Sequence, residues 1–137
     1  VSSILKNKPI DIYNNGEMYR DFTYVDDLVN GIKLLVDCIP MNGKKISEND
    51  SLSPVAPFRI VNIGNSDKIK LIEFIEAIEK SLGKKAIKNY MPMQKGDVAE
   101  TWADASLLKD LTGHILQTNF NDWITNFVKW YQEYYSV

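Results

Sequence analysis

Residues 20–32 constrain the fold of this chain more than any other stretch. They read Arg20-Asp21-Phe22-Thr23-Tyr24-Val25-Asp26-Asp27, then Leu28-Val29-Asn30-Gly31-Ile32. The first half alternates side chains with the two-residue period of a strand. The second half switches to helix spacing, with acidic residues in the first turn, where the helix dipole favours them. A chain that passes so abruptly from strand to helix is of the α/β class. An arginine just ahead of such a junction is held rigidly and can reach a bound anion. The competing reading for Arg20 is a surface ion pair with Asp21. Asp26 and Asp27 open a helix, where aspartates serve as cap and dipole partner rather than as an acid–base pair.

Elsewhere the pattern alternates between helix and strand. Val1 to Asn7 reads as the tail of a helix, Ile10 to Tyr13 as a strand, and Asn14-Asn15-Gly16 as a turn. From Asp26 to Asp37 the apolar residues Leu28, Val29, Ile32, Leu35 and Val36 recur at helix spacing, which predicts one buried stripe. Residues 41–57 are rich in serine, proline and alternating charge and read as an irregular surface loop without chemistry of its own. Residues 59–64 then read as a β-branched strand ending at Gly64. Leu71, Phe74, Ile75, Ile78 and Leu82 predict a helix capped by Ser66 or Asp67 and stopped at Gly83. A short strand is expected over Ala86 to Tyr90, an extended piece over Thr101 to Ala103, and a short helix over Ser106 to Leu111. Asp104 is placed to cap that helix, and Trp102 reads as packing. The last helix starts near Thr118 or Asn119 and lines up Trp123, Phe127, Trp130, Tyr131 and Tyr134 on a core-facing aromatic side.

Several function classes find no support. A net charge of -2 gives no electrostatic reason to bind nucleic acid or an anionic membrane. No apolar run approaches the ~20 residues of a membrane-spanning helix. Cys38 is the single cysteine and His114 the single histidine, too few ligands for a metal site. With no internal disulfide possible, a reducing, cytoplasmic setting is the simpler expectation, and Cys38 reads as a small apolar filler. A start at Val-Ser-Ser without methionine suits a piece of a longer protein.

Three segments extend the meaning of Arg20-Asp21. They are Ile60-Val61-Asn62-Ile63-Gly64-Asn65, Gln94-Lys95-Gly96-Asp97 and Thr101-Trp102-Ala103-Asp104-Ala105-Ser106. In this order they resemble the C-terminal half of nucleotide-sugar epimerases of the extended short-chain dehydrogenase/reductase family, nearest the UDP-glucuronate 4-epimerase branch. The resemblance covers nearly the whole chain, residues 1–137. It implies a Rossmann-type parent, with the 59–64 strand in its parallel sheet and the remainder forming a small mixed sheet with helices. It also implies NAD as the parent's cofactor, a UDP-sugar as its substrate, and a homodimer joined through N-terminal helices.

The dinucleotide-binding part that the family carries ahead of this region is absent. The seven glycines show no Gly-x-x-Gly-x-x-Gly spacing, since no two lie within ten residues of each other. The family's catalytic pair is Tyr-x-x-x-Lys. Here Tyr13 is followed at that spacing by Glu17, Tyr19 by Thr23, Tyr24 by Leu28, Tyr90 by Gln94 and Tyr131 by Tyr135. No catalytic residue and no NAD site is therefore expected in this chain, only substrate contacts, so that alone it is inactive.

By the same resemblance Arg20 contacts the diphosphate, a task that suits the planar guanidinium fork. Asp97 lies near the ribose-phosphate portion, where a carboxylate can accept hydrogen bonds from a diol. Gln94 stands where galactose-type epimerases commonly have arginine, and adds no charge. Lys95 either replaces that charge or points into water. Tyr13 and Ile69 match walls of the uracil pocket, and Thr101 a position beside the hexose. Each of these has a plain structural alternative as turn or core. UDP-glucose 4-epimerases, sugar-nucleotide dehydratases and UDP-xylose-forming decarboxylases remain alternatives, as does a non-enzymatic binding module derived from such an enzyme. Thr23-Tyr24, where galactose-type enzymes usually have a histidine, and Asp21, which decarboxylases often lack, favour the glucuronate branch.

Overall fold

The computed structural model describes residues 1–115 and 118–137. It folds as two units, one formed by residues 1–20, 68–101 and 118–137, the other by residues 21–67 and 102–115.

The first unit holds both sheets. Helix α1 (Ser2–Leu5) leads into strand β1 (Pro9–Ile12), which pairs in parallel with β4 (Ile87–Tyr90). Between β1 and β2 (Tyr19–Arg20) the chain makes a tight 3-10 turn over Tyr13–Gly16, with Asn14 and Asn15 in the left-handed region. Asparagine tolerates that conformation better than most residues. The second sheet has the order β3-β2-β5. Here β2 runs antiparallel to β3 (Ile69–Lys70) and parallel to β5 (Glu100–Thr101). This is the small mixed sheet with helices implied by the family resemblance.

Helix α3 occupies Leu71–Leu82, and Gly83 ends it at a φ of 63°, a left-handed stop that glycine adopts freely. Its expected cap at Ser66 or Asp67 does not form. Ile69 and Lys70 are used first by strand β3, so the cap position falls on Lys70. Helix α5 (Phe120–Tyr135) begins as expected, with the Asn119 side chain accepting from the Asn121 N–H at 2.9 Å. The two helices meet through Phe74, Phe120 and Trp123, and Phe120 lies edge-on to Trp123 at 5.5 Å. Ile12, Ile124 and Val128 complete the core beside them. The aromatic side of α5 is only half core. Trp123 is buried, whereas Trp130 and Tyr134 stack on each other at 5.4 Å on the surface.

A buried carboxylate lies inside this unit. Glu79 is 2% exposed and receives Lys88 Nζ at 2.7 Å, Lys85 Nζ at 2.9 Å and the Ala86 N–H at 2.8 Å. Burial alone would raise its pKa. The hydrogen bonds from Lys88 and Lys85 and from the Ala86 backbone outweigh burial and hold it at about 2.

The second unit contains helices α2 (Val25–Leu35) and α4 (Ser106–Thr112), which pack on one another. Helix α2 has the expected apolar spacing but not the expected burial. Val29, Ile32 and Val36 are more than half exposed, and Gly31 is the helix residue that is buried. Residues 59–63 form no strand either. A parallel strand is made by neighbours on both sides, and none lies beside it among the described residues. Its visible tie is local, with the Ser51 hydroxyl accepting from the Ile60 N–H at 3.0 Å and donating to the Ile60 carbonyl. Val61 and Ile63 are half-buried, while Phe58 and Ile60 face outward. Trp102, read as packing, is 54% exposed.

Residues 41–57 contain no helix or strand, yet they enclose a second buried carboxylate. Asp50 accepts from Arg59 Nε at 2.8 Å and Nη2 at 2.9 Å, and from the N–H groups of Ile46 and Leu52. The Arg59 hydrogen bond is the largest cause that draws the Asp50 pKa down to about 2, and the two backbone bonds add to it. Sequence reading assigned this stretch no chemistry. A bidentate, desolvated ion pair instead pins it from within.

Asp21 organises the start of the same unit. Its carboxylate accepts from the N–H groups of Asn65 at 3.1 Å, Ser66 at 3.0 Å and Ala103 at 3.1 Å. Gly64 is required beside it, because a Cβ there would meet Ala103 Cβ at 2.6 Å and Asp21 Oδ2 at 2.8 Å.

Two predictions follow from these packing constraints. Gly64→Ala is expected to destabilise the chain by about 1–3 kcal/mol, the usual cost of overpacking, read as a lowered urea midpoint. A midpoint unchanged from the parent would show that the Asp21 cluster yields freely. The second concerns acid. Asp50 and Glu79 have depressed folded-state pKa values, so the stability they contribute is present above the ordinary carboxylate range and is lost as pH falls toward about 2. Melting temperature measured between pH 5 and pH 2 should therefore drop, and Glu79→Gln should flatten that drop.

Candidate functional site

All six positions marked as substrate contacts lie in the first unit, and strand pairing brings three of them into one row. In the β3-β2-β5 sheet, Arg20 stands opposite Ile69 on one side and opposite Thr101 on the other. Directly opposed residues in neighbouring strands present their side chains to the same face. The sequence separates these residues by dozens of positions. Two-residue strands are enough to set them side by side.

Arg20 does not pair with Asp21. Its Nη2 donates to Asp97 Oδ1 at 3.0 Å and to the Val98 carbonyl at 2.9 Å. Its Nη1 donates to the Tyr19 carbonyl at 2.9 Å and to the Ala99 carbonyl at 3.3 Å. The surface ion-pair reading with Asp21 is thus replaced by a pairing 77 residues away in sequence. The two side chains are 27% and 32% exposed, so water and ligand can reach the pair. Nε–H is the guanidinium donor with no partner among the described residues. The bond to Ala99 is the longest and weakest of the four.

Asp97 is set by the turn that carries it. Its N–H donates to the Gln94 carbonyl at 3.2 Å, and Gly96 within that turn has a φ of 91°, which favours glycine. Oδ1 also accepts from the Val98 N–H at 2.8 Å. The side chains of Gln94 and Lys95 are exposed, and for Lys95 that agrees with the solvent-facing alternative. Thr101 is exposed. Ile69 is 6% exposed and belongs to the core as much as to any pocket wall. Tyr13 is half-buried in the 3-10 turn, which Asn15 N–H ties to the Met91 carbonyl at 3.0 Å. Proximity of Tyr13 to the Arg20 row is not established by any of these bonds.

Sequence reading missed Asp21, noted there only as a possible partner of Arg20 and as a branch marker. Its three amide partners come from residues 65, 66 and 103; Asn65 and Ala103 lie within two of the three quoted motif segments, and Ser66 directly follows the first. That shared ordering was the available signal. The carbonyls of Val98 and Ala99 left none, since any residue supplies them. Asp104 accepts from the Ser106 N–H at 2.9 Å, a bond that lowers its pKa, although the cap position of α4 itself falls on Ala105.

The residues present do not fit a dinucleotide. Two glycines with close neighbours, Gly16 and Gly64, approach Ile72 and the Ala103–Asp21 pair, an apolar side chain and a carboxylate rather than open space for a pyrophosphate. Gly43, Gly83, Gly96 and Gly113 have open space beside them but share no turn. Among the described residues there is no group of three or more potential metal ligands, and no helix is long and apolar enough to cross a membrane. In the second unit a cavity of about 270 Å³, bordered by Ser66, Asp104, Lys109 and His114, includes none of the six substrate positions.

Residues 1–46 match the NAD dependent epimerase/dehydratase family. The chain is 42% identical to a probable UDP-glucuronate 4-epimerase of Rhizobium meliloti, over 98% of this chain and 40% of that protein. It is 46% identical to the protein CapI of Staphylococcus aureus, over 97% of this chain and 40% of CapI. Among solved structures, the UDP-glucuronic acid 4-epimerase of Bacillus cereus in complex with NAD superposes with a TM-score of 0.73 at 26% identity, over 98% of this chain and 37% of that one. The chain thus spans about two fifths of the length of the curated relatives it matches. Along nearly its whole length the chain is similar to a part of these proteins, and its first 46 residues match the NAD dependent epimerase/dehydratase family.

Proposed function

We propose that this chain is the substrate-binding portion of an NAD-dependent UDP-glucuronate 4-epimerase. The observation that carries the proposal is the Ile69–Arg20–Thr101 row with its partly exposed arginine side chain. A fixed cation beside small and apolar neighbours suits the diphosphate and sugar of a nucleotide-sugar. Relatives and solved neighbours named for that activity support the choice of substrate.

In this reading the chain binds and orients, and the chemistry belongs to the rest of a longer protein. NAD held by that other part would supply the hydride chemistry at the sugar's C4, and none of the described residues is assigned to hold it. Arg20 would hold the diphosphate through Nε–H and through an Nη hydrogen released from Ala99. Thr101 leaves room for the hexose. The exposed apolar face of α2, at Val29, Ile32 and Val36, and the outward Phe58 and Ile60 would pack against the remaining part of the enzyme.

The test is a pair of measurements on the chain itself. Calorimetric titration with UDP should show binding. Arg20→Ala should weaken it by about 1.5–3 kcal/mol, the value of hydrogen bonds to a charged group. A turnover assay with UDP-glucuronate and NAD should give no C4 epimer. Equal UDP affinity in Arg20→Ala would remove Arg20 from the site, and turnover by the pure chain would overturn the division of labour.

A further inference from the structure

We propose that the aromatic end of α5, together with the lysines around α1, is a docking surface for an anionic lipid bilayer. The proposal is independent of the reading of Arg20 and uses none of the substrate positions.

Three observations meet at this surface, all within the first unit. The first is an uncovered aromatic cluster. Phe127, Trp130, Tyr131, Tyr134 and Tyr135 form a continuous series of ring contacts over the last turns of α5, with Trp130 stacked on Tyr134 and Tyr131 at 4.6 Å from Tyr135. Trp130 is 51% exposed, Tyr135 53% and Tyr134 68%, so these rings cover one another more than they are covered. Single exposed aromatics are ordinary, whereas a contiguous cluster marks an interaction surface.

The second is a cavity of about 460 Å³ between α1 and the end of α5. Leu5, Tyr131, Tyr135 and Val137 give it apolar walls, and Ser2 and Lys6 add a hydroxyl and an ammonium. Its size is that of a small-molecule site. Apolar walls beside a cation suit an acyl chain below a phosphate.

The third is the charge at the rim. Lys6 and Lys8 are exposed and form no ion pair among the described residues. Lys84 Nζ donates to the Leu5 carbonyl at 2.7 Å, which brings a third lysine to the same end of α1 without a carboxylate partner. Lys85 and Lys88 differ, because Glu79 already compensates them. On α5 the exposed Glu133 is matched by Lys129 at 3.9 Å. The rim is therefore positive, although the chain as a whole carries -2, because acidic residues outnumber basic ones only in the second unit.

Tyrosine and tryptophan have an apolar body and a polar tip, and a lysine stem can lie on apolar surface while its ammonium stays in water. These are the side chains that the headgroup level of a bilayer accommodates. A rim of one sign matches a surface that is anionic throughout, which lipid phosphates provide and a protein of mixed charge does not. Apolar insertion and charge attraction add in such binding, so losing either should weaken it.

The test is cosedimentation of the chain with vesicles of phosphatidylglycerol and phosphatidylcholine in equal parts, against vesicles of phosphatidylcholine alone. The chain should bind the anionic vesicles, bind the neutral ones at least about tenfold more weakly, and be released as salt rises. Lys6→Gln with Lys8→Gln should lower affinity for the anionic vesicles about tenfold. Trp130→Gln with Tyr134→Gln should lower it about fivefold or more. Tryptophan emission should shift to the blue on anionic vesicles, and Trp130→Phe should remove the shift. All these side chains are exposed, and melting temperature confirms that each variant is folded. If the aromatic pair fails to fold, the lysine pair and the emission of Trp130 decide. No binding to anionic vesicles, equal binding to both kinds, or binding unchanged in the lysine pair would overturn the proposal. So would self-association without lipid that the aromatic variants abolish, since the face would then belong to a second copy of the chain.

Discussion

Arg20 and Asp21 are adjacent, oppositely charged, and do not pair with each other. Each instead satisfies backbone groups brought from far along the chain. Arg20 covers the carbonyls of Val98 and Ala99 as well as Tyr19. Asp21 covers the amides of Asn65, Ser66 and Ala103. Strands of two residues cannot hold such segments by their ladders alone. Charged side chains supply the hydrogen bonds that longer strands would otherwise provide, at about twice the strength of neutral ones. The same bonds fix where the guanidinium points, so the structural staple and the candidate site are one set of atoms.

The two buried carboxylates solve a related problem. Burying a charge is favourable only where partners satisfy it fully. Asp50 has a bidentate arginine and two backbone amides, and Glu79 has two lysines and one amide. Each sits where regular structure is short. Asp50 closes a stretch with no helix or strand, and Glu79 joins the end of α3 to the start of β4. Their partners are fixed in sequence within about ten residues, so these are local anchors that hold loops rather than long-range links.

Helices were more legible in the sequence than sheets. Leu71 to Leu82 and the start of α5 were readable because apolar periodicity, Gly83 and Asn119 all act locally. Strands β2 and β5 were legible at one residue each, Arg20 and Thr101, where longer extended runs were expected, and β3 was not, since two residues show no period and their pairing is decided by contacts across the chain. The burial of α2 was misread for a different reason. Spacing shows that a face is apolar, not that something in the same chain covers it, and Ile32 and Val36 remain exposed. Residues 59–63 carry the composition of a strand without the neighbours that would make one. At the site, Arg20 and Asp97 were identified individually through their motifs, but their mutual bond was not, because a salt bridge spanning 77 residues leaves no trace in spacing.

The account stands on Arg20 as the point where a nucleotide's phosphates are held. A crystal structure of the chain with UDP tests this most directly. The prediction is a phosphate oxygen within hydrogen-bond distance of Arg20 Nε. UDP bound away from Arg20 would contradict it.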